Sequence, residues 1–304
     1  MPDPIRTNRG NITLPNDVSS EIIQSTLKSS AIMQLARRVP LPGRGITIPV
    51  ITSDPEAAWV AETAQKPTSN PGLSQKVMQA YKLAVIVPFS DEFRRDLKSL
   101  YDAIVARLPG ALGYAFDQTV VGAKEKPGEN FDNLTEATAQ SLIESGGTTT
   151  YGSLVAAYTD IAVAGGNLNG FALSPAGKGI LLGAVDSVGR PLFIDSIADN
   201  GVPRVLGAAT REANGIYVAG AAGQGSEAGT PALVGIAGDW SKAMFGTVEG
   251  VQISISNQAT LTIGTTPVNL WERNMFAVRA EIEVGFRADV SCFNRLLGAI
   301  PTGA

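Results

Sequence analysis

The stretch MFAVRAEIEVGFRADV, residues 275–290, alternates apolar and polar side chains with strict period two. Phe276, Val278 and the apolar residues at every second position after them share one face of an extended chain, and charged or small residues occupy the other face. The alternation lasts for about 12 residues, whereas an ordinary strand has about five or six. The sequence therefore predicts an unusually long strand with one face in the core.

A second long element is predicted for SDEFRRDLKSLYDAIVARL, residues 90–108. Ser90 is a good N-cap, acidic residues follow it in the first turn, and apolar residues recur at steps of three or four. Pro109 falls inside this pattern, so a kink or a break is expected there. A helix that continues to about Val121 would span about 45 Å.

Two strand-like runs, residues 45–52 and 75–88, predict a long hairpin. Pro49 within the first run suits an edge strand. The connection, residues 53–74, exceeds the usual length of a structureless loop, which indicates a function for it. Its segment WVAETAQKPTSN, residues 59–70, carries a tryptophan that has no local periodic segment to pack on.

The rest of the chain mixes helices and strands. Residues 1–16 are polar and predict a flexible arm, and helices are predicted over 17–38, 135–144 and 150–164. Residues 165–265 alternate short apolar runs with glycine-rich turns, which is typical of a mixed domain of helices and strands.

The composition narrows the classes of function. The chain has 304 residues, 44% of them apolar and 17% charged, which is typical of a globular protein with a sizeable core. It contains no histidine, which removes Ser-His-Asp and Cys-His catalysis and the usual zinc sites with histidine ligands. A formal charge of −4 argues against binding nucleic acid with the whole surface. Cys292 lies among apolar residues and is expected in the core.

Membrane and secretory signals are missing from the sequence. The longest uncharged apolar runs are far shorter than the roughly 20 residues of a membrane helix. The first ten residues have no apolar run behind their charges, so no secretory signal is predicted. We expect synthesis in a cytoplasm and no contact with a membrane.

The glycine-rich stretches do not match phosphate-binding motifs. GFALSPAGKG, residues 170–179, has Ala172 and Gly179 where a P-loop needs glycine and a hydroxyl residue, so a strand, a turn and a helix are expected there. GAAGQGSEAG, residues 220–229, lacks the spacing of a dinucleotide-binding loop. With no metal-ligand spacing and no nucleophile–base pair, the sequence predicts no catalytic residue, no cofactor and no metal.

Charged clusters allow two interpretations. Arg94, Arg95 and Lys98 lie on the polar side of the predicted long helix, either as a solvated face or as a contact with another subunit or with phosphate. Glu281 and Glu283 alternate with arginines on the long strand, which favours cross-strand ion pairs over paired-carboxylate catalysis.

The order of these elements resembles the major capsid proteins of tailed bacteriophages. The resemblance covers nearly the whole chain, because each motif is loose but their order and spacing are fairly specific. Its motifs are AAWVAE (57–62), YKLAVIVPFSDEFRRD (81–96), TTTYGSLVAAYTDI, FALSPAGKGILLGAVD, GRPLFI, GIAGDWSKAMFGTVEGVQISIS and the closing MFAVRAEIEVGFRADVSCFNRL.

The resemblance implies an α+β fold of the Hong Kong 97 type, organised around a long spine helix and a long strand. We expect an N-terminal arm (1–43), an extended β-hairpin loop (44–88), a peripheral domain with the spine helix (89–147), a mixed α/β axial domain (148–265) and a return strand of the peripheral domain (266–304).

The same resemblance implies a structural protein of the virion capsid and not an enzyme. Copies of the chain would form pentamers and hexamers that close into an icosahedral shell around double-stranded DNA, assembled in the bacterial host cytoplasm. The expected partners are other copies, a separate scaffolding protein, a portal and weakly contacted DNA; binding of decoration proteins is left open. The alternatives are an encapsulin-like nanocompartment shell and a small-oligomer enzyme that uses lysine or carboxylate chemistry.

Intersubunit contacts are expected at the hairpin loop and on the long helix. Trp59 and Val60 would bury against an adjacent subunit. Lys66 and Lys76 lie in or near the hairpin, but no partner for the isopeptide crosslink of one relative can be matched, so that chemistry is not inferred. The expected contact residues are Trp59, Val60, Glu62, Lys66, Arg94, Arg95 and Lys98.

Overall fold

The computed structural model describes most of the chain: residues 29–43, 45–53, 55–60, 62, 65–66, 68–70, 72–96, 98–143, 149–185, 190, 193, 204–223, 229–263 and 266–301. The flexible arm predicted over residues 1–16 and most of the helix predicted over 17–38 lie outside these residues.

Five α-helices, four short 3-10 helices and fifteen strands have described bounds. The α-helices are α1 (Ala31–Leu35), α2 (Asp91–Asp96), α3 (Lys98–Val120), α4 (Thr150–Val163) and α5 (Pro175–Gly183). The strands are β1 (Arg37–Pro40), β2 (Ile46–Ser53), β3 (Gly72–Met78), β4 (Tyr81–Ser90), β5 (Thr138–Ser141), β6 (Gly170–Leu173), β7 (Arg204–Val205), β8 (Ala208–Glu212), β9 (Leu233–Gly238), β10 (Ala243–Thr247), β11 (Gln252–Ser256), β12 (Thr260–Ile263), β13 (Thr266–Asn269), β14 (Met275–Ala288) and β15 (Phe293–Leu297).

The first large sheet is built around β14, so the prediction of a long strand is confirmed. This strand has 14 residues, and Phe276, Val278 and Phe286 on its apolar face are buried. Strand β4 pairs antiparallel along one edge of β14, and β11 pairs along the other edge. Strand β10 pairs with the last part of β14, and β1 adds to β10 in parallel. A long strand is stable here because it has partners along its length.

The second large sheet has six strands in the order β5-β15-β9-β6-β8-β7. One apolar cluster joins the two sheets and includes Phe116 of α3, Phe245, Phe286 and Phe293. A second cluster lies beneath α4 and α5 on the other face of the six-stranded sheet. A third cluster fills the space between the first part of α3 and the sheet of β4, β14 and β11. Cys292 is fully buried, as predicted.

The long helix continues through Pro109, so the chain does not break there, and the alternative of a kink at this position stays a prediction. Helix α3 has 23 residues and therefore spans about 35 Å. An interior proline costs about 3 kcal/mol because a backbone hydrogen bond is lost. Leu108, Leu112 and Phe116 are buried at steps of four on either side of Pro109, and this packing offsets the cost.

Two helices predicted from the sequence are partly or wholly wrong. The described part of 135–144, residues 135–143, contains strand β5 and no helix, because β5 pairs in parallel with β15 and tertiary pairing overrides a local preference. In the described part of 17–38, only Ser29 and the residues of α1 are helical. Arg37 and Arg38 belong to β1, which pairs with β10.

The predicted hairpin strand over 75–88 is in fact two strands. Strand β3 pairs with β2 and forms the hairpin, whereas β4 leaves at Gln79 and Ala80 to join the main sheet on β14. Val77 and Tyr81 are separated by an even number of residues and would share one face of a single continuous strand. For this reason the sequence pattern does not show the junction. Met78 is nevertheless fully buried and Val77 is exposed. The face that is buried therefore changes at the junction.

Strand pairing also crosses the domain limits predicted from the sequence. Strands β10 and β11 lie within 148–265 but pair with β14 of the first sheet. Strand β15 lies within 266–304 but pairs with β9 of the second sheet. The domain division therefore stays a prediction.

A buried carboxyl group joins α1 to α3. The hydroxyl of Ser30 donates to Asp117 Oδ1 at 2.6 Å, and the backbone N–H of Ala31 donates to Oδ2 at 3.0 Å. Asp117 is fully buried. Desolvation by burial raises its pKa to about 7, although these hydrogen bonds act in the opposite direction.

The raised pKa of Asp117 predicts a pH-dependent stability. The folded state binds a proton more tightly than the unfolded state, so this contribution is complete below about pH 4 and is lost as the pH rises towards 7. At about 1.4 kcal/mol per pKa unit, the loss is on the order of 4 kcal/mol. We expect urea unfolding of the subunit to show this slope and Asp117→Asn to remove it. Equal slopes in both proteins would contradict the assignment.

Candidate functional site

The hairpin of β2 and β3 lies outside both large sheets. Its two strands pair with each other from Ile46 and Met78 to Ser53 and Gly72, and neither joins another strand among the described residues. An isolated two-stranded hairpin is only marginally stable in water. This element is therefore suited to lie on another surface.

The hairpin tip, defined as the described residues from 55 to 70, exposes a large apolar side chain. Trp59 is fully exposed and Val60 is also exposed. Glu62 and Lys66 are exposed beside them, so the four predicted contact residues of the loop share one surface segment. The backbone N–H of Glu56 donates to Ser69 Oγ at 2.8 Å and joins the two sides of the tip.

Two members of the predicted basic cluster, Arg94 and Arg95, pair with neighbouring carboxylates. Arg94 lies 3.3 Å from Asp91, and its guanidinium stacks over the Phe276 ring at 4.7 Å. Arg95 lies 2.8 Å from Asp96, and this hydrogen bond raises the pKa of Arg95. Local pairing of this kind lowers the positive potential that a phosphate contact needs. The side chain of the third member, Lys98, lies outside the described part.

The acidic residues of β14 form ion pairs. Lys82 on β4 lies 3.3 Å from Glu283, which confirms the expected cross-strand pairing for that residue. Glu281 lies 3.4 Å from Arg279 on its own strand. Both carboxylates therefore have basic partners.

The base of the hairpin is held by one arginine. Arg287 Nε donates to the backbone oxygen of Val77 at 2.7 Å. One terminal nitrogen donates to Asp132 Oδ1 at 2.6 Å and to the Glu129 oxygen at 3.4 Å. The other donates to Asn130 Oδ1 at 2.9 Å. The Arg287 side chain is only 11% exposed, so these charge-assisted bonds lie largely out of water.

Asp132 links the same base to the end of β14. Its second oxygen accepts from the Ala288 N–H at 3.1 Å and lies 3.9 Å from Lys76 Nζ. Lys76 in turn donates to the Ala288 oxygen at 3.1 Å. One carboxylate thus faces two cations from the hairpin strand and from β14. We call Arg287, Asp132 and Lys76 the hairpin anchor.

Two glycines allow the chain segments to pass closely at the anchor. Gly45 has a φ of +82°, and a Cβ there would lie 2.5 Å from the Met78 oxygen. A Cβ at Gly285 would lie 2.5 Å from the Gln79 oxygen. The fully buried Met78 packs between these segments. The hairpin therefore leaves the body through a tightly packed base and ends in an exposed tip.

This arrangement is suited to contact with another molecule. Among the described residues, no group of three His, Cys, Asp or Glu could hold a metal ion. No described helix combines the length and the apolar character that crossing a bilayer requires. Sequence reasoning missed the hairpin anchor because Arg287 and Asp132 are 155 residues apart and no motif links them.

Comparisons with known proteins find phage capsid proteins as relatives. A model described as the Phage capsid family matches residues 10–289. The probable major capsid protein gp17 of Mycobacterium phage L5 is 29% identical over 293 residues, covering 91% of this chain and 86% of the relative. The major capsid protein of Staphylococcus phage 80alpha is 25% identical over 297 residues, covering 94% of this chain and 85% of the relative.

A solved structure has the same fold. A chain from Gordonia phage Cozz aligns with a TM-score of 0.71 at 24% identity and covers 90% of this chain and 87% of that chain.

Proposed function

The chain belongs to the phage capsid family, and from this membership we infer that it is a major capsid protein, a structural component of a bacteriophage virion. The expected α+β fold of the Hong Kong 97 type is confirmed by its likeness to solved phage structures. The relatives named as major capsid proteins support the same function. The family is a structural one, and we propose that this chain has no enzymatic activity.

We propose that the hairpin tip of one copy packs on an adjacent copy. The observation that carries this proposal is Trp59, which is fully exposed at the end of a hairpin whose described bonds to the body of the subunit lie at its base. An exposed tryptophan costs solvation free energy that burial against a neighbour recovers. Repeated contacts of this kind stabilise a closed shell although each is weak by itself.

The shell is proposed to consist of pentamers and hexamers around double-stranded DNA. A net charge of −4 and the local pairing of Arg94 and Arg95 suit a weak, non-specific contact with DNA. We also propose a separate scaffolding protein and a portal as partners, with assembly in the host cytoplasm. A solved chain described as "Capsid of empty GTA particle computed with C5 symmetry" aligns with a TM-score of 0.62, which supports five-fold assembly.

The experiment is expression of the chain in bacteria, sedimentation, and negative-stain imaging of the fractions. We expect closed particles of megadalton mass. A small oligomer would contradict the proposal and favour the lysine- or carboxylate-dependent enzyme. Particles that carry a protein cargo when isolated from their native source, with no long genome, would favour the encapsulin-like compartment.

A further inference from the structure

Lys242 and Cys292 are in contact at the junction of the two large sheets. Lys242 ends the short 3-10 helix before β10, and Cys292 ends the one before β15. Strand β10 belongs to the first large sheet and β15 to the second. The Lys242 Nζ donates a hydrogen bond to the Cys292 Sγ at 3.2 Å, although the two residues are 50 positions apart in the chain. We call these two side chains the lysine–cysteine pair.

The surroundings hold the Lys242 ammonium group against the sulfur. Its Nζ also donates to the Gly165 oxygen at 2.9 Å, which fixes the end of the side chain. Burial lowers the pKa of Lys242. Cys292 and the two nearby carboxylates, Asp289 and Asp239, raise this pKa by more, so the amine carries its proton at neutral pH. A cation beside a thiol favours the thiolate, which is the nucleophilic form of cysteine.

The Cys292 thiol is fully buried, but an exposed turn covers it on one side. Ala164 and Gly165 in this turn are exposed, and the Ala164 oxygen lies 3.6 Å from Sγ. Gly166 packs directly on the thiol, where a Cβ would lie 3.2 Å from Sγ. Backbone and small residues thus separate the sulfur from water at this turn. Surface turns open locally more easily than the core does, so a small oxidant has a path to the sulfur.

We propose that Cys292 and Lys242 form a covalent sulfur–nitrogen bond, a sulfenamide, when the folded chain meets hydrogen peroxide. The sulfur and the nitrogen are already in contact. The chain contains one cysteine, so no second thiol of the same chain competes for the oxidised sulfur. Sulfenic acids condense with nearby nitrogen atoms in this way. The inference does not depend on the proposed function.

The pair itself supplies each proton that the reaction moves. The thiolate attacks one peroxide oxygen, the O–O bond breaks, and the Lys242 ammonium group gives a proton to the leaving hydroxide. The products of this step are a sulfenic acid on Cys292, a neutral amine and one water molecule. The amine nitrogen then attacks the sulfur, and the sulfenic oxygen leaves with two protons as a second water molecule. The cysteine is oxidised, and one hydrogen peroxide is reduced to water.

The new bond cross-links the starts of β10 and β15. It closes a loop of the 50 positions between the two residues. A disulfide that closes a loop of this length shifts the unfolding equilibrium about a thousandfold towards the folded state, and we expect a shift of the same order here. The urea midpoint of the oxidised chain should therefore rise, and a thiol reductant should return it to its original value.

The test is peroxide treatment of the folded chain, followed by peptide mass mapping, with Lys242→Arg as the matched variant. We expect a linked Lys242–Cys292 peptide that has lost two hydrogen atoms and that a thiol reductant cleaves. Arginine keeps a cation beside the sulfur, but its guanidinium stays protonated and does not attack it. Lys242→Arg should therefore accumulate the sulfenic acid, which dimedone captures about tenfold more than in the unmodified chain.

Peroxide treatment of the unmodified chain in urea is a control that requires no variant. Unfolding separates the two side chains, so the linked peptide should fall about tenfold or more. Oxidation of Cys292 in the folded chain without a linked peptide would overturn the proposal. A thiol that stays unreacted in the folded chain, while the same peroxide oxidises it in urea, would also overturn it. Equal capture by dimedone in the unmodified chain and in Lys242→Arg would contradict the role of the amine.

Discussion

Asp132→Ala is expected to lower the free energy of unfolding by about 3 kcal/mol, because breaking a largely buried ion pair leaves a charge without compensation. In this variant Arg287, which is 11% exposed, keeps only uncharged hydrogen-bond acceptors. Lys76 loses the same carboxylate. The Ala288 N–H also loses its acceptor. Urea unfolding of the subunit measures the change.

The control for Asp132→Ala is Glu283→Ala, which breaks an exposed pair with Lys82. Exposed pairs contribute at most about 1 kcal/mol, so this variant should unfold almost as the unmodified chain does. Hydrogen exchange adds a local readout, since loss of the hairpin anchor should speed exchange at the β3 amides. If both variants lose the same stability, the anchor does not hold the hairpin as described.

Trp59→Ala is expected to leave the free subunit as stable as before and to reduce particle formation strongly. The side chain is fully exposed, so the subunit loses no packing. Burial of one aromatic side chain at a contact is worth roughly 2–3 kcal/mol. Removing it weakens each contact by roughly 30-fold or more, and the effect repeats at every subunit of the shell. Sedimentation of the expressed protein and the melting temperature of the particles measure it.

Trp59→Phe provides the conservative comparison at the same position. A phenylalanine retains most of the apolar area, so this variant should assemble with a smaller loss. Unchanged particle yield and heat stability for Trp59→Ala would refute the contact at the hairpin tip.

The long elements could be predicted from the sequence because their periodicity reports burial directly. Every second residue of β14 from Phe276 packs into the core, and the helical steps from Leu108 continue through α3. Pro109 did not break the helix because packing on both sides outweighs one lost hydrogen bond. Local pattern and tertiary packing agree in these two elements.

The remaining elements depend on partners that are distant in the chain. Strand β5 exists because β15, about 150 residues later, pairs with it. The alternation of apolar residues does not show where β3 ends and β4 begins, because Val77 and Tyr81 are separated by an even number of residues across the junction. A pattern of apolar residues shows which faces are buried but not which strand covers them.

Only part of the candidate site could be predicted, because the sequence shows local patterns but not contacts between distant residues. Trp59 is visible in the sequence because it lies in a long connection with no periodic segment, whereas Arg287 and Asp132 give no local signal. The pairing of Arg94 with Asp91 could have been suspected from their spacing of three residues in a helix. The contact residues themselves stay predictions until a neighbouring subunit is seen.

The most direct test of the hairpin contact is the tryptophan fluorescence of Trp271→Phe, measured in free subunits and in particles. This variant removes the other exposed tryptophan and retains Trp59 with the buried Trp240. We predict that assembly shifts the emission to shorter wavelength and protects Trp59 from acrylamide, because the ring leaves water. Particles in which Trp59 is quenched as readily as in the free subunit would contradict the account.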